Sequence, residues 1–366
     1  MKLTIDKKVM VEKLNPLAKF KGKEVLQNTY LEVTNETVLF RVSDGEVTYT
    51  SKIKLADQEH VKVEKVGSVL LPPKVEEVIR KLSNGVFSMT ILENGQIELK
   101  QGKTAAKVNA VEGEFPSLPK VEKKEEVKLS TKVLRTLCTP ISFAASNNDS
   151  RPILKAIHME SDDKQFKAIC TDSHRLSQKA LNKPLSLPVL NIPSKPLMNV
   201  IQTLNDDDSL VLSAAGNHIV LSNDETEIYI RQLEGTYPDV SRVMSIDAVG
   251  KVKVKQSEIL TAIDRALTFS KAEKNNCISI EPASDGTLKV CSSAIEGSIE
   301  EFISAEFEDV DKIEKFTINA KFLTESIKSF SNSEISFLFQ GDEKPIFIVS
   351  ETEPTLTQML LPIRVH

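Results

Sequence analysis

Thr171-Asp172-Ser173-His174-Arg175 gathers a hydroxyl, a carboxylate, an imidazole and a guanidinium within five consecutive residues, the side chains of a hydrolase triad among them. Hydrolytic chemistry would need Asp172, Ser173 and His174 to converge as orienter, nucleophile and base. In an extended stretch neighbours alternate faces, which keeps the three apart. A metal-dependent nuclease or hydrolase centred on Asp172 and His174 is the enzymatic alternative, yet no DxD, HxH or HExxH spacing accompanies these two residues. No GxxxxGK[ST] or GxGxxG loop supplies a phosphate cradle. The plainer reading is a turn in which the Asp172 carboxylate anchors backbone amides. Neither a metal nor a cofactor is expected. Cys138, Cys170, Cys277 and Cys291 read as separate reduced thiols, because no CxxC pair or nearby His joins them.

Cations offer a different chemistry. The 366-residue chain carries a net charge of −5, which taken alone disfavours a polyanionic ligand. Lys7, Lys8, Lys13, Lys74, Arg80, Lys81, Lys132, Arg135, Lys195, Arg265, Lys271, Lys321 and Lys328 nevertheless all fall in six segments of helical apolar spacing. Each segment is net positive, so the acidity belongs to the remainder. Helices of this kind sharing one surface would hold phosphates without reading bases, in a strongly salt-dependent way. With no Trp and only four Tyr, base stacking is not the expected mode.

The elements that must position these groups repeat. Helical segments open each third of the chain, from Asp6, Ser130 and Lys255, and a second set begins at Pro72, Pro193 and Ile318. A recurrence of about 125 residues is too long for solenoid units and right for three tandem domains. Glu-Gly-x-aromatic-Pro closes both the first third (EGEFPSLPKV, from Glu112) and the second (EGTYPDVSRV, from Glu234), an independent sign of duplication. Strand-like runs follow every helix, and FSMTIL–ENG–QIELK reads as a hairpin turning at Asn94-Gly95. The expected fold class is α+β, three similar domains over 1–122, 128–246 and 250–366, each with two helices packed on antiparallel sheets. The charge run from Lys120 to Lys128 reads as a linker. Gln358 to Arg364 is apolar almost to the last residue, either an edge strand or the border of a partner groove. No apolar run approaches the roughly 18 residues of a membrane span, and MKLTIDKK has no signal-peptide h-region, so a cytoplasmic location is expected.

SFAASNNDSRPILKAI, ICTDSHRLSQKAL, LEGTYPDVSRV and the terminal TQMLLPIRV resemble the bacterial replicative sliding clamps, the beta subunits of DNA polymerase III. The resemblance implies the DNA-clamp fold, with two chains forming a closed homodimeric ring. It implies a non-catalytic processivity factor that encircles double-stranded DNA independently of sequence. The implied partners are the catalytic subunit of the replicative polymerase, the clamp loader complex and other proteins carrying clamp-binding peptides. Carried over residue by residue, the deep apolar subsite for such a peptide is Leu154, Thr171, His174, Leu176, Pro238, Val243, Met359 and Leu361. The shallower one is Asn319, Phe322, Ile346, Pro362, Ile363 and Arg364, with Arg175 and Arg242 at the same groove. His174 is then a wall residue. Ser173 replaces a Gly seen in many clamps. The implied DNA contacts include Lys74, Asn148, Pro152 and Ile153, together with Arg80, Lys132, Arg135, Lys195, Arg265 and Lys321 on the helical segments. Where the family usually has Arg-Pro-Thr-Leu-Pro-Ile-Leu this chain has Phe-Lys-Gly-Lys-Glu-Val-Leu (Phe20 to Leu26), so Lys21 and Lys23 take the place of that contact. Thr268 and Phe269 are expected at the dimer seam, facing Ala106 and Val108 of the second copy.

Overall fold

The computed structural model describes residues 1–363 apart from 58–59, 120, 271–275, 310, 312, 314, 332 and 342–343. It divides into two compact units, one of residues 1–132 with 199–232 and the other of 133–198 with 233–366. The units do not follow the thirds, because the middle third supplies strands to both.

Local sequence sets each element. In the strand Lys2–Asp6 the alternation places Leu3 and Ile5 fully inside and leaves Lys2, Thr4 and Asp6 half-buried. Asp6 then ends the strand and starts helix α1 (Lys7–Leu17), its carboxylate accepting from Lys8 N at 2.7 Å. Helix α2 (Pro73–Lys81) begins with a proline, where the missing N–H leaves no bond unmade, and ends on Arg80 and Lys81 at the negative end of the helix dipole. Helices α3 (Thr131–Cys138), α4 (Ser194–Ile201), α5 (Gln256–Ser270) and α6 (Ala320–Lys328) complete the six expected segments. Asn319 caps α6, its side-chain oxygen accepting from Lys321 N and Phe322 N. Helix α1 packs on α2 and α5 on α6, burying Met10, Leu14, Val75 and Ile79 in the first unit and Ile259, Ile263, Leu323 and Ile327 in the second.

All strand pairing among the described residues is antiparallel. The first unit holds a five-stranded sheet in the order Val61–Lys65, Lys2–Asp6, Val86–Ile91, Gln96–Gln101, Thr104–Asn109. Its hairpin turns at Asn94-Gly95 as the sequence predicts, with Gly95 at φ +78°, a conformation that costs a Cβ-bearing residue steric strain. The eight-stranded sheet of this unit runs Lys124–Ser130, Ser209–Ala215, His218–Ser222, Thr226–Arg231, Val47–Lys54, Thr37–Ser43, Thr29–Val33, Gly67–Leu71. The charge run expected to be a linker is therefore a strand from Lys124 onward. It lies at the sheet edge, where its charged side chains remain in water and guard the open ladder. Lys120 falls outside the described residues.

The second unit holds one twelve-stranded sheet. Its first half runs Leu190–Pro193, Ala156–Ser161, Phe166–Thr171, Arg175–Leu181, Leu356–Leu360, Ile346–Val349, and its second Glu334–Phe339, Gly250–Lys255, Gly297–Glu308, Thr287–Ala294, Cys277–Pro282, Phe316–Asn319. Leu356–Leu360 is thus an interior strand rather than an edge, because apolar residues on both sides of it find covered neighbours.

Two of the four thiols are sealed in these cores. Cys138 and Cys170 are fully buried, and burial pushes both thiols well above their ordinary range. A thiol reagent applied to the native protein at pH 8 is expected to leave both unmodified until denaturant is added. Stoichiometric labelling of either in the folded state would show that these cores are not closed as described.

Candidate functional site

The triad-like residues are a hairpin loop. Phe166–Thr171 and Arg175–Leu181 are paired strands, and 172–174 turn between them with Ser173 at φ +80°. Asp172 Oδ1 accepts from His174 N at 2.9 Å and Arg175 N at 3.1 Å, while its Oδ2 accepts from Arg175 Nε at 2.9 Å. Thr171 Oγ1 donates to Arg175 O at 2.6 Å and accepts from Ser173 N at 3.2 Å. The carboxylate is wholly engaged in holding its own loop, so it orients backbone rather than an imidazole. The turn expected from spacing is present. Three residues that an extended chain would splay are instead folded over one another.

Arg175 is the centre of the arrangement. The residue is 7% exposed, and its guanidinium lies 4.2 Å from the ring centroid of Phe322 and 5.1 Å from that of Phe143. Its remaining donors reach Glu325 and, at 2.8 Å, Phe143 O. One side chain thus ties the hairpin to the segment after α3 and to α6. His174, exposed on the same loop, stacks toward Phe322 with centroids 6.4 Å apart.

Beside the loop lies an apolar cluster of Leu154, Ala156, Ile169, Leu176, Tyr237, Phe347 and Met359, with Ile153, Val240 and Met244 packed against it. Leu176 stands opposite Met359 and Arg175 opposite Leu360 across the strand pair, and Leu361 N donates to His174 O at 3.0 Å. The register that brings them together is locked by Gln358, fully buried, which bonds Ser177, Pro140 O and Ser329. Leu361, joined to His174 through its backbone, is 39% exposed, an apolar side chain left in water, and Val243 is 40% exposed. Pro238 is half-buried and Arg242 exposed.

The structure therefore brings Leu154, Thr171, Leu176, Met359 and Leu361 to one place and sets His174 and Arg175 at its border. Of the shallower set, Phe322 joins through its stacking on Arg175 and His174, and Ile346 stands opposite Leu360. Asn319 serves as the cap of α6. Pro362 is half-buried, Ile363 N donates to Thr317 O at 2.7 Å, and Arg364 lies outside the described residues. Sequence reasoning missed Tyr237, Phe347 and Gln358. Tyr237 sits in the duplicated Glu-Gly-x-aromatic-Pro motif, where Phe115 of the first copy stacks on Tyr30 as Tyr237 stacks on His158. That repeat was the available signal.

The expected phosphate contacts divide into two kinds. Lys23, Lys132, Lys195 and Lys321 are exposed, as are Asn148 and Pro152, while Ile153 packs against the apolar cluster. Lys21 is not a free cation: it is bound to Glu76, and both side chains are nearly buried. Within Phe20 to Leu26, Lys21 is thus engaged in an ion pair inside the protein, while Lys23 stays exposed. Arg80 donates to Asn15, Lys74 to Glu77, and Arg265 to both oxygens of Glu301 at 3.1 and 3.0 Å. Glu77 has Lys81 and Lys74 as neighbours, and their hydrogen bonds hold its carboxyl down to about 2. Arg135 borders a cavity of about 570 Å³ with Lys179, Glu325 and Lys328. Lys271 is outside the described residues. Ala106 and Val108 are half-buried on the edge strand Thr104–Asn109, while Thr268 is exposed and Phe269 half-buried in the last turn of α5.

Family models of the DNA polymerase III beta subunit match the chain in three consecutive stretches: the N-terminal domain over 1–119, the central domain over 128–239 and the C-terminal domain over 241–364. Among curated proteins, the chain is 25% identical over 381 residues to the beta sliding clamp of Bacillus subtilis and 26% identical over 378 residues to that of Staphylococcus aureus, each match spanning 100% of both chains. Among solved structures it is similar to the beta chain of DNA polymerase III from Streptococcus pneumoniae, with TM-score 0.94 and 25% identity. The sliding clamp of Bacillus subtilis gives 0.92 and 25%, and both cover 100% of each chain.

Proposed function

The chain belongs to the DNA polymerase III beta subunit family, and from that premise we propose that two copies close head to tail around double-stranded DNA and hold replication partners in the groove floored by Leu154, Leu176 and Met359. It is a DNA sliding clamp, a processivity factor without a catalytic step of its own. The reading of Asp172 and His174 as a hydrolytic pair is set aside. Asp172 is the keystone of a hairpin loop, and His174 is an exposed wall of an apolar groove.

One observation carries the ring. The last strand of the middle third, Thr226–Arg231, pairs with Val47–Lys54 of the first third, and the last strand of the final third, Leu356–Leu360, pairs with Arg175–Leu181 of the middle third. The same rule leaves one pair of edges over in every chain. Thr104–Asn109 ends its sheet, and residues 297–304 have a strand partner on one side only among the described residues. Edge strands of this length are templates for pairing, and two chains satisfy each other's edges with closure. Dispersed lysines such as Lys23, Lys132, Lys195 and Lys321 suit phosphate contacts that exchange freely as the protein slides. The groove suits a short peptide with apolar anchors, its orientation set by His174 and Arg242. The proposed occupants are the peptide segments of the replicative polymerase's catalytic subunit, of the clamp loader and of other replication proteins.

Solution mass should correspond to two chains, and the protein loaded on nicked circular duplex should stay bound at salt that abolishes direct binding, then be lost when the circle is cut. A monomer at micromolar concentration, or equal retention on circular and linear DNA, would reject ring closure.

A further inference from the structure

We infer that the groove continues into a second, polar compartment, which takes the side chain of an arginine standing outside the apolar anchors of a partner peptide. This inference rests on the peptide-groove reading above and extends it to the chemistry of the flanking residues.

The compartment is a cavity of about 700 Å³ between the sheet face that carries Ala156–Ser161 and Phe166–Thr171 and the segment 235–245. That size falls within the range of sites that hold small ligands. Ile169, Tyr237, Val240 and Met244 line it, and the same four belong to or pack against the apolar cluster beside the 172–174 loop. The two spaces therefore share a wall. They also share a face of the sheet. Thr171 stands opposite Leu176 in the groove, two residues along Ile169 stands opposite Gln178 in the cavity, and two further Lys167 stands opposite Ala180. At about 3.3 Å per residue, the cavity is reached roughly 7–13 Å from Thr171, by two to four residues of extended peptide.

Its wall sets two acceptors against each other. His158 stands opposite Ile169 and Glu160 opposite Lys167, and both line the cavity. His158 Nδ1 donates to Asn191 Oδ1 at 2.8 Å, which in the neutral ring leaves Nε2 as an acceptor. Nε2 lies 3.5 Å from Glu160 Oε2, a second acceptor. Stacking on Tyr237, with centroids 4.4 Å apart and planes within 6°, fixes the imidazole where it is. An acceptor pair of this kind calls for a shared donor carrying positive charge. Among the described residues lining the cavity, Lys167 is the one lysine or arginine, and it is committed elsewhere. Its Nζ lies 2.8 Å from Asp162, whose Oδ1 is held by the backbone N–H groups of Lys164 and Gln165. Asp239 adds a further carboxylate to the lining, so the charge left open is negative.

Arginine fits on two counts. Its guanidinium presents several N–H donors in one plane, so a single group can bridge Nε2 and Oε2, whereas lysine offers a point charge. Its methylenes find apolar cover on Val240, Met244 and Val189, the last 58% exposed. An acidic residue in the same place would face Glu160 and Asp239, so the compartment also discriminates against acidic flanks.

The test uses the full chain and fluorescent peptides. One peptide carries only leucine and aromatic anchors flanked by alanine, and the others carry a single arginine two, three or four residues outside the anchors at either end. At one end arginine is expected to tighten binding about tenfold over the anchor-only peptide, the worth of one charge-assisted hydrogen bond. Glu160→Gln should remove that gain and leave the affinity of the anchor-only peptide unchanged. Glu160→Lys should turn the preference at the same place from arginine to glutamate. Failure of the anchor-only peptide to bind removes the groove reading and the compartment together. Binding of that peptide with no gain from arginine at any place, or a gain that persists in Glu160→Gln, leaves the groove standing and overturns the arginine site.

Discussion

Arg175→Ala is expected to destabilise the second compact unit by roughly 3–5 kcal/mol, the usual cost of removing one partner from a buried ion pair, and to abolish measurable peptide binding. The buried guanidinium satisfies Asp172 and Glu325, accepts the faces of Phe143 and Phe322, and donates to a backbone carbonyl. Its removal leaves Asp172, 15% exposed, with its loop amides but no counter-ion, and lets Phe322 swing from the groove. Arg175→Lys would keep the charge and lose the fork and the stacking, so most of the loss should persist. Calorimetry and a fluorescent clamp-binding peptide measure the two effects separately. Peptide affinity within twofold of the parent in a folded Arg175→Ala protein would mean the groove does not depend on this residue.

Lys21→Met is expected to lower the melting temperature of the first compact unit by roughly 6–12 °C, corresponding to about 3 kcal/mol for a unit of this size. Glu76 is a buried carboxylate inside α2 whose partners are Lys21 and the Thr29 hydroxyl at 2.6 Å. With the lysine gone, one hydroxyl faces a full buried charge. Glu76→Gln added to Lys21→Met should recover most of the stability, since a neutral amide needs no counter-ion. Retention on circular DNA should keep its salt dependence in Lys21→Met, whereas loss of a true phosphate contact would reduce the slope by nearly one. A reduced slope with an unchanged melting temperature would return Lys21 to the DNA-facing set.

Both residues show where the sequence was legible. Periodicity alone located the six helices, because each buries an apolar stripe in which substitutions at i, i+3 and i+4 would be costly. The alternation in FSMTIL and QIELK fixed a hairpin for the same reason. Partnership between charges was not legible, since Lys21 and Glu76 lie 55 residues apart and nothing local distinguishes a buried lysine from a solvated one. The run from Lys120 to Lys128 misled because an edge strand tolerates charge on both faces and so lacks the alternation that marks a strand. The groove was legible only in part. Leu154, Leu176 and Met359 came with the family resemblance, whereas Tyr237 and Gln358 are defined by long-range packing. The Asp172 turn was readable from residue type, but excluding the extended alternative required knowing that Ser173 adopts positive φ.

The strand Leu356–Leu360 lies inside the sheet that carries the groove, and Ser177 meets Gln358 across a separation of 181 residues. During synthesis the middle hairpin leaves the ribosome long before its neighbour does, by about 10–40 s at ordinary elongation rates. Throughout that interval the floor of the proposed groove lacks Met359 and Phe347. On the proposed reading, a nascent or prematurely terminated chain therefore holds a partner peptide poorly, and recruitment is reserved for finished molecules.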